Sequence, residues 1–287
     1  LLSMPGWPPE HMVAGRLMAK IGTIGAILLS AALAAGCGRS DDPATDTGGP
    51  AKEAGCLLTM GWEPWEPYQY LSPTGEIWGF DIQLARTISE RAGCGIEFER
   101  DSWTALLEKI ASGEIDFIGG ATATPEREAF ALFSDPYRSE DFALYVRSGD
   151  VSRWSGGELR DLLESGMRIG VTDSYVYGDE ITALQDDPEF ADGFVPAATG
   201  DVNVSRLLDG AVDGFIEDIF VATASIRREG LEEEIAVHPL VLEAGDEVRY
   251  MFSRASTTQD MVARFNDALR EIRASGRYTE IEDRYLR

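Results

Sequence analysis

Short apolar runs alternate with helical patterns along most of this chain. Runs at 57–60 and 96–98 have the length of strands, and each lies beside a segment whose apolar residues recur every three or four positions. One such segment begins at Asp81, a residue type that favours a helix N-cap, and stops at Gly93. A second set of strands and helices occupies 167–252. This alternation predicts an α/β fold with mostly parallel sheets.

The first apolar run, Ile21–Ala35, precedes this pattern and follows basic residues. At about 15 residues it is shorter than the roughly 20 that a membrane-spanning helix needs, and a basic start with a small-residue exit is typical of a secretory signal peptide. The run ends in Ala35-Gly36-Cys37, which resembles a bacterial lipobox. We predict a signal peptide over 1–36, with 1–17 resembling an over-extended start, and a lipidated Cys37. An ordinary signal peptide with an incidental Cys is the alternative.

Residues 37–55 join this lipidated Cys to the folded part. They contain Gly, Pro, Asp and Thr without an apolar period, which indicates a flexible tether. Cys56 and Cys94 each follow a Gly and precede an apolar run. If those runs are neighbouring parallel strands, the two Cys lie at one sheet edge, and an exported protein would oxidise them. We expect a disulfide, with two free buried thiols as the alternative.

Composition narrows the possible functions. The 287 residues suit one large domain or two ordinary ones, and 44% hydrophobic with 26% charged residues is typical of a folded protein. A formal charge of -25 argues against nucleic acid and against docking on anionic lipid headgroups. Two His and three Cys without a CxxC spacing leave little room for a metal. We therefore expect no metal and no cofactor.

The segment 119–127, with the sequence GGATATPER, carries the clearest chemistry. Its small residues let a ligand approach the backbone, and the helix that Thr124 caps favours an anion at its N-terminus. The guanidinium of Arg127 beside these groups can bind a carboxylate in bidentate fashion. A surface salt bridge to Glu126 or Glu128 is the alternative.

Five short motifs resemble the family 3 solute-binding proteins of bacterial ABC transporters, which are polar amino-acid receptors. In the order that family uses, they are Gly79-Phe80-Asp81, Gly113-Glu114-Ile115-Asp116, Thr124-Pro125-Glu126-Arg127, Phe133-Ser134-Asp135-Pro136-Tyr137 and Gly276-Arg277-Tyr278. The resemblance implies the type II periplasmic-binding-protein fold, with two parallel-rich sheets and a double-crossover hinge. Lobe 1 would comprise 56–146 plus 253–287, and lobe 2 would comprise 147–252.

The resemblance also implies roles for single residues. Arg127 matches the Arg that clamps the ligand α-carboxylate, with Thr122 and the backbone near Gly120 assisting. Asp218, five residues after Asp213, matches the second-lobe Asp that pairs with the ligand α-ammonium. The two charges of an amino acid would thus be held from opposite lobes.

Two Trp match the aromatic walls of the family's pocket. Trp65 matches the lid and Trp103 the opposing wall, where their faces could stack on a flat side chain or hold a cation, with core packing as the alternative. Glu63 stands where many members carry an acidic contact for the ligand side chain. Tyr175 and Tyr177 replace part of the usual Gly-Thr-Thr loop, so we expect them, together with Glu217, to alter the pocket.

These features predict a monomeric, non-enzymatic lipoprotein that faces the periplasm or the cell surface and contacts the membrane only through its lipid. It would close on a small ligand, an α-amino acid, and deliver it to an ABC permease. One alternative is a sensor that reports to a receptor. The other is a cyclohexadienyl dehydratase, acting on prephenate or arogenate, with Glu217 supplying a proton.

Overall fold

A computed structural model describes residues 55–242 and 247–286, which belong to one compact unit. The predicted signal peptide, Cys37 and almost all of the tether lie outside the described residues. The strands are β1 (Cys56–Trp62), β2 (Tyr70–Leu71), β3 (Ile77–Trp78), β4 (Cys94–Arg100), β5 (Phe117–Thr122), β6 (Ala131–Phe133), β7 (Arg138–Ser139), β8 (Phe142–Arg147), β9 (Ile169–Thr172), β10 (Phe194–Ala197), β11 (Gly214–Asp218), β12 (Ile235–Val237) and β13 (Glu247–Ser253).

The helices alternate with these strands, as the apolar pattern predicts. They are α1 (Phe80–Arg91), α2 (Trp103–Ser112), α3 (Pro125–Glu128), α4 (Leu159–Glu164), α5 (Asp179–Asp186), α6 (Gly200–Leu208), α7 (Ile219–Glu229), α8 (Gln259–Ala274) and α9 (Arg277–Tyr285). Within 55–242 and 247–286, none of them has both the length and the apolar character needed to cross a membrane.

Helix ends follow local capping chemistry in most places. The Ser102 side chain accepts a hydrogen bond from the Ala105 N–H at the start of α2, and Gly113 ends that helix with a left-handed φ of 83°. Asp81 is an exception, because α1 begins at Phe80 and the Asp81 side chain lies fully buried beside Arg138. The prediction that Asp81 caps α1 is therefore wrong, since tertiary packing gives its carboxylate another partner.

The first sheet has the order β4-β1-β5-β13-β6, with β7 also paired to β13. Strands β1, β4 and β5 are parallel, and β13 runs antiparallel to β5. Alternate strand residues enter two cores: Phe117 packs with α1, α8 and α9, whereas Ile118 packs with α2. Both faces are covered, as a largely parallel sheet requires.

The second sheet has the order β10-β9-β11-β8-β12, in which β9, β10 and β11 are parallel. Its two faces also carry separate cores. Leu144 and Ile216 pack with α4 and α5, whereas Tyr145 and Phe215 pack with α6 and α7. The expected pair of parallel-rich sheets is confirmed.

Both crossings of the chain between the two sheets lie several residues before the positions predicted from the sequence. β7 pairs in the first sheet and β8 in the second, so the first crossing lies between Ser139 and Phe142. The return lies between β12 and β13, before Glu247. The predicted boundaries at 146/147 and 252/253 are corrected accordingly. An apolar run predicts a strand but does not identify the sheet in which that strand pairs.

Cys56 and Cys94 form the expected disulfide, with their Cα atoms 4.5 Å apart. The two residues are register partners at the first position of the parallel strands β1 and β4. Parallel pairing therefore brings together cysteines that are 38 residues apart in the chain.

Candidate functional site

One cavity lies where β1, β5, α2 and α3 of the first lobe face the loop after β9 of the second. Of the nine residues predicted to bind ligand, seven line it: Glu63, Trp65, Trp103, Gly120, Thr122, Arg127 and Tyr175. These residues lie far apart in the sequence, and each was predicted from its own short motif. The fold brings them together around one cavity.

Arg127 is a buried cation in the first turn of α3. Two hydrogen bonds fix its side chain: Nη1 donates to the Thr122 carbonyl at 3.0 Å, and Nη2 donates to the Ser174 carbonyl at 2.8 Å. The residue is only 7% exposed, and burial lowers the pKa of its guanidinium. Within the described part of the chain, no carboxylate forms an ion pair with it. The guanidinium is thus able to donate hydrogen bonds to the carboxylate of a ligand.

The loop Ser174–Tyr175 of the second lobe rests directly on first-lobe residues. Ser174 has a left-handed φ of 62°, and its carbonyl also accepts from the Trp103 indole N–H at 3.2 Å. The Tyr175 ring lies edge-on to Trp65 and to Trp103, with centroids 6.1 and 5.8 Å away. The Arg127 guanidinium therefore bonds to a neutral carbonyl, which is a weaker acceptor than a carboxylate.

Glu63 follows β1 and is 6% exposed. Its Oε1 accepts from the Tyr175 hydroxyl at 2.6 Å and its Oε2 from the Trp103 backbone N–H at 3.1 Å. Burial raises the pKa of Glu63 to about 7 despite these donors. A cationic group in the cavity would shift this side chain toward its ionised form.

Trp65 forms the aromatic wall above Gly120. A Cβ on Gly120, whose φ is 77°, would lie 3.2 Å from the Trp65 ring, so glycine suits both the backbone angle and the close approach. The Trp65 indole N–H donates to Glu217 Oε1 at 3.4 Å across the lobes. Burial raises the pKa of Glu217 to about 8.

Asp218 does not line this cavity. Its Oδ1 accepts the N–H groups of Phe220 and Val221 at 2.9 and 3.0 Å, which makes it the N-cap of α7. Its Oδ2 accepts the Tyr68 hydroxyl at 3.2 Å, and the residue is 1% exposed. The carboxylate is engaged by groups of the protein itself, so its predicted contact with a ligand ammonium stays a prediction.

Tyr177 is also placed away from the cavity. Its hydroxyl accepts from the Thr172 N–H at 2.6 Å, and its ring packs edge-on against Phe142 in the second-lobe core. The fold gives Tyr177 a packing role, and its predicted ligand contact stays a prediction. Nothing in the sequence around Tyr177 distinguishes a residue that packs in the core from one that contacts a ligand.

Two charged residues that the sequence reading passed over lie beside the site. Arg138 lies in β7, directly before the first crossing between the lobes, and Glu140 lies in that crossing and lines the cavity with Arg127. Arg138 Nε lies 3.3 Å from Asp81 Oδ1, and Nη2 lies 2.9 Å from Glu140 Oε1. Burial raises the pKa of Glu140 to about 7. The available signal was the polar run Arg138-Ser139-Glu140-Asp141 between the aromatic residues Tyr137 and Phe142.

Residues 58–287 match the model of the bacterial extracellular solute-binding proteins, family 3. This chain belongs to that family. It is 25% identical over 224 residues to a probable histidine-binding protein of Neisseria gonorrhoeae, covering 77% of this chain and 79% of that protein. It is 24% identical over 228 residues to the arginine-binding extracellular protein ArtP of Bacillus subtilis, covering 77% and 82%.

A solved structure supports the same grouping. The arginine-, lysine-, histidine-binding protein ArtJ of Geobacillus stearothermophilus superposes with a TM-score of 0.67 at 26% identity, covering 80% of this chain and 95% of that one. The predicted family and its two-lobed fold are confirmed. As a member of this family, the chain is a solute-binding protein.

Proposed function

We propose that this family 3 solute-binding protein captures an α-amino acid with a cationic side chain and delivers it to an ABC permease. One observation carries the proposal: the buried Arg127 guanidinium has carbonyl partners but no carboxylate partner among the described residues. A ligand carboxylate would take the place of the Ser174 carbonyl. The resulting charge-assisted pair is roughly twice as strong as a neutral hydrogen bond.

The cationic side chain follows from the groups at the other wall of the cavity. Glu63 offers a buried carboxylate between Trp103 and Tyr175, and the faces of Trp65 and Trp103 can stack on a planar cation. The names of the arginine- and histidine-binding relatives support this ligand class. A guanidinium or imidazolium would satisfy the carboxylate and the ring faces together.

Closure of the lobes would sequester the ligand. Hydrogen bonds already join the lobes, among them those of Arg127 to Ser174, Trp65 to Glu217 and Tyr68 to Asp218. A ligand stabilises the closed arrangement to the extent that it binds better there than in the open one. An amino acid held by Arg127 and by the second-lobe loop meets this requirement.

Export and anchoring complete the proposal. The signal peptide over 1–36, a lipid on Cys37 and the tether over 37–55 would hold a monomer near its permease. Membership of an extracellular family supports export. The Cys56–Cys94 disulfide supports it as well, because such bonds persist in oxidising compartments.

Thermal melting against matched ligands tests the proposal. The protein is stripped of carried-over ligand by unfolding and refolding, and arginine is compared with citrulline, which has the same shape without the side-chain charge. A ligand at 100 times its dissociation constant adds about 2.7 kcal/mol, or roughly 5 to 10 °C. At equal concentrations, a larger shift with arginine, lysine or histidine than with citrulline is expected. A flat response to all amino acids contradicts the proposal.

Glu63→Gln tests the side-chain assignment. Losing a hydrogen bond to a charged group should weaken arginine binding by about tenfold or more, while citrulline binding stays unchanged. The exposed Glu232→Gln serves as the matched control. Equal losses for arginine and citrulline would mean that Glu63 does not read the ligand charge.

A further inference from the structure

We infer that the loop tip formed by Ser174 and Tyr175 of the second lobe is an internal competitor for the ligand, which holds the lobes together and has to withdraw before a solute binds. The inference rests on the proposed function and concerns the regulation of the same site. It follows from the groups that the loop tip occupies, from the cores that its ring joins and from the way its base is anchored.

The backbone of the loop tip occupies the groups assigned to the ligand carboxylate. The Ser174 carbonyl accepts from Arg127 Nη2 at 2.8 Å and from the Trp103 indole N–H at 3.2 Å. Both donors belong to the first lobe, whereas Ser174 follows β9 of the second. A carboxylate has the same acceptor chemistry as this carbonyl, so the two compete for one guanidinium.

The side chain of the loop tip occupies the groups assigned to the ligand cation. The Tyr175 hydroxyl donates to Glu63 Oε1 at 2.6 Å, and its ring lies edge-on to Trp65 and Trp103. Glu63 and the two Trp faces are the groups proposed to hold a cationic side chain. Two adjacent residues of the protein therefore engage both ends of the site at once.

The Tyr175 ring also joins the lobes through apolar contacts. It is half-buried and packs against both cores of the first lobe and against the second-lobe core beneath α4 and α5. Burial of apolar surface between the lobes adds to the hydrogen bonds of the loop tip. The loop tip thus favours the closed arrangement through the same kinds of contact that a ligand would make.

The base of the loop is anchored in the second lobe. The Tyr177 hydroxyl accepts from the Thr172 N–H at 2.6 Å, and the Asp173 N–H donates to the Ala197 carbonyl at 2.8 Å. Ser174 itself has a φ of 62°, a left-handed conformation that persists only where surrounding contacts hold it. The anchored base carries the loop tip with the second lobe, so opening the cleft withdraws it from the first-lobe donors.

Competition of this kind lowers the affinity for every ligand by the same factor. Only the fraction of the protein whose loop tip is withdrawn accepts a ligand, so the apparent dissociation constant is the intrinsic one divided by that fraction. The cost of withdrawal does not depend on which ligand follows. A direct contact between Tyr175 and the ligand has the opposite consequence, because removing it weakens binding.

The test truncates Tyr175 and measures arginine and citrulline binding by titration calorimetry on protein stripped of carried-over ligand. Tyr175→Ala should strengthen the binding of both by about threefold to thirtyfold and by equal factors, because withdrawal no longer breaks a bond to Glu63 or the ring contacts. Tyr175→Phe keeps the ring and should strengthen both by about threefold or less. The exposed Asp173→Ala in the same loop is the control. If either affinity stays unchanged or falls in Tyr175→Ala, the inference is overturned.

Small-angle X-ray scattering keeps failure of this inference apart from failure of the proposed function, because it needs no ligand. Ligand-free Tyr175→Ala should have a larger radius of gyration than the unmodified protein, and circular dichroism reports whether its fold is retained. If Tyr175→Ala does not fold, Tyr175→Phe takes its place in both measurements. Equal radii overturn the inference. If the unmodified protein binds no amino acid, the proposed function is overturned, and the radii still decide whether the loop tip closes the lobes.

Discussion

Arg127 and Asp218 are both buried charges at the start of a helix, one in each lobe, but the protein treats them differently. Asp218 is bonded to the helix that it caps and to Tyr68. Among residues 55–242 and 247–286, the hydrogen bonds of the Arg127 guanidinium go only to backbone carbonyls, one of which comes from the opposite lobe. The difference teaches that two positions matched to one ligand clamp can differ in how many donors or acceptors the protein itself already supplies to them. A charge whose partners are neutral is the better candidate.

Arg127→Ala should produce the largest effect on binding. Removing the proposed charged partner of the ligand carboxylate is expected to weaken amino-acid binding at least about hundredfold, since charge-assisted bidentate pairs contribute several kcal/mol. Arg127→Lys keeps the charge but not the fork, so it should also lose about tenfold. Calorimetry checks both, with the exposed Arg264→Ala as the control. Unchanged affinity in Arg127→Ala would remove the basis of the comparison.

Asp218→Ala should act on stability first. Loss of the N-cap of α7 is expected to cost about 1 to 2 kcal/mol, which melting of the ligand-free protein would show. Asp218→Asn keeps an acceptor for the helix N–H groups and should cost less. Equal destabilisation by the two substitutions would argue against the capping role.

The stability of the ligand-free protein and its affinity for a cationic ligand should change in opposite directions as pH rises. Burial raises the pKa of Glu63 and Glu140 to about 7 and that of Glu217 to about 8, whereas in the unfolded chain they lie near 4.5. Between about pH 5 and 8 the unfolded chain therefore holds fewer protons, so the ligand-free melting temperature should fall as pH rises.

A cationic ligand should reverse part of this trend. It favours the ionised carboxylates, so its affinity should rise from pH 6 to 8 by up to about tenfold per pH unit for each proton released. Calorimetry in buffers of different ionisation enthalpy measures that release. Binding without proton release would mean that these acids do not face the ligand charge.

Tyr175→Phe should have the smallest effect. It keeps the ring against Trp65 and Trp103 but removes the hydroxyl that bonds Glu63 Oε1. Freeing that oxygen should raise the affinity for a cationic amino acid by about threefold at most, within the range of a single hydrogen bond. A clear loss of affinity would instead make the hydroxyl a direct ligand contact.

Much of the architecture was predictable because it depends on local patterns. Apolar spacing predicted the alternating strands and helices, Ser102 and Thr124 marked helix starts, and matching positions before two strands predicted the Cys56–Cys94 bond. Each signal depends on a few neighbouring residues and their side-chain chemistry. Family motifs added the two-lobed topology and brought Arg127, Trp65 and Trp103 forward as site residues.

Partner choice was not predictable in the same way. Whether β8 pairs in the first or the second sheet depends on strands far away in the chain, which explains the misplaced lobe boundaries. In the sequence, Arg138 and Glu140 cannot be distinguished from charged residues on the surface. The fold buries them against Asp81 and Tyr68 and beside the cavity.

The amino-acid sequence by itself determined the fold class, the disulfide and the position of Arg127 in the segment GGATATPER, because those depend on periodicity and on residue type. Tertiary structure decided which partners the buried charges have within the protein. That property depends on three-dimensional bonding: Asp218 finds donors at the start of α7, whereas Arg127 finds only carbonyls and Glu140 shares a single guanidinium.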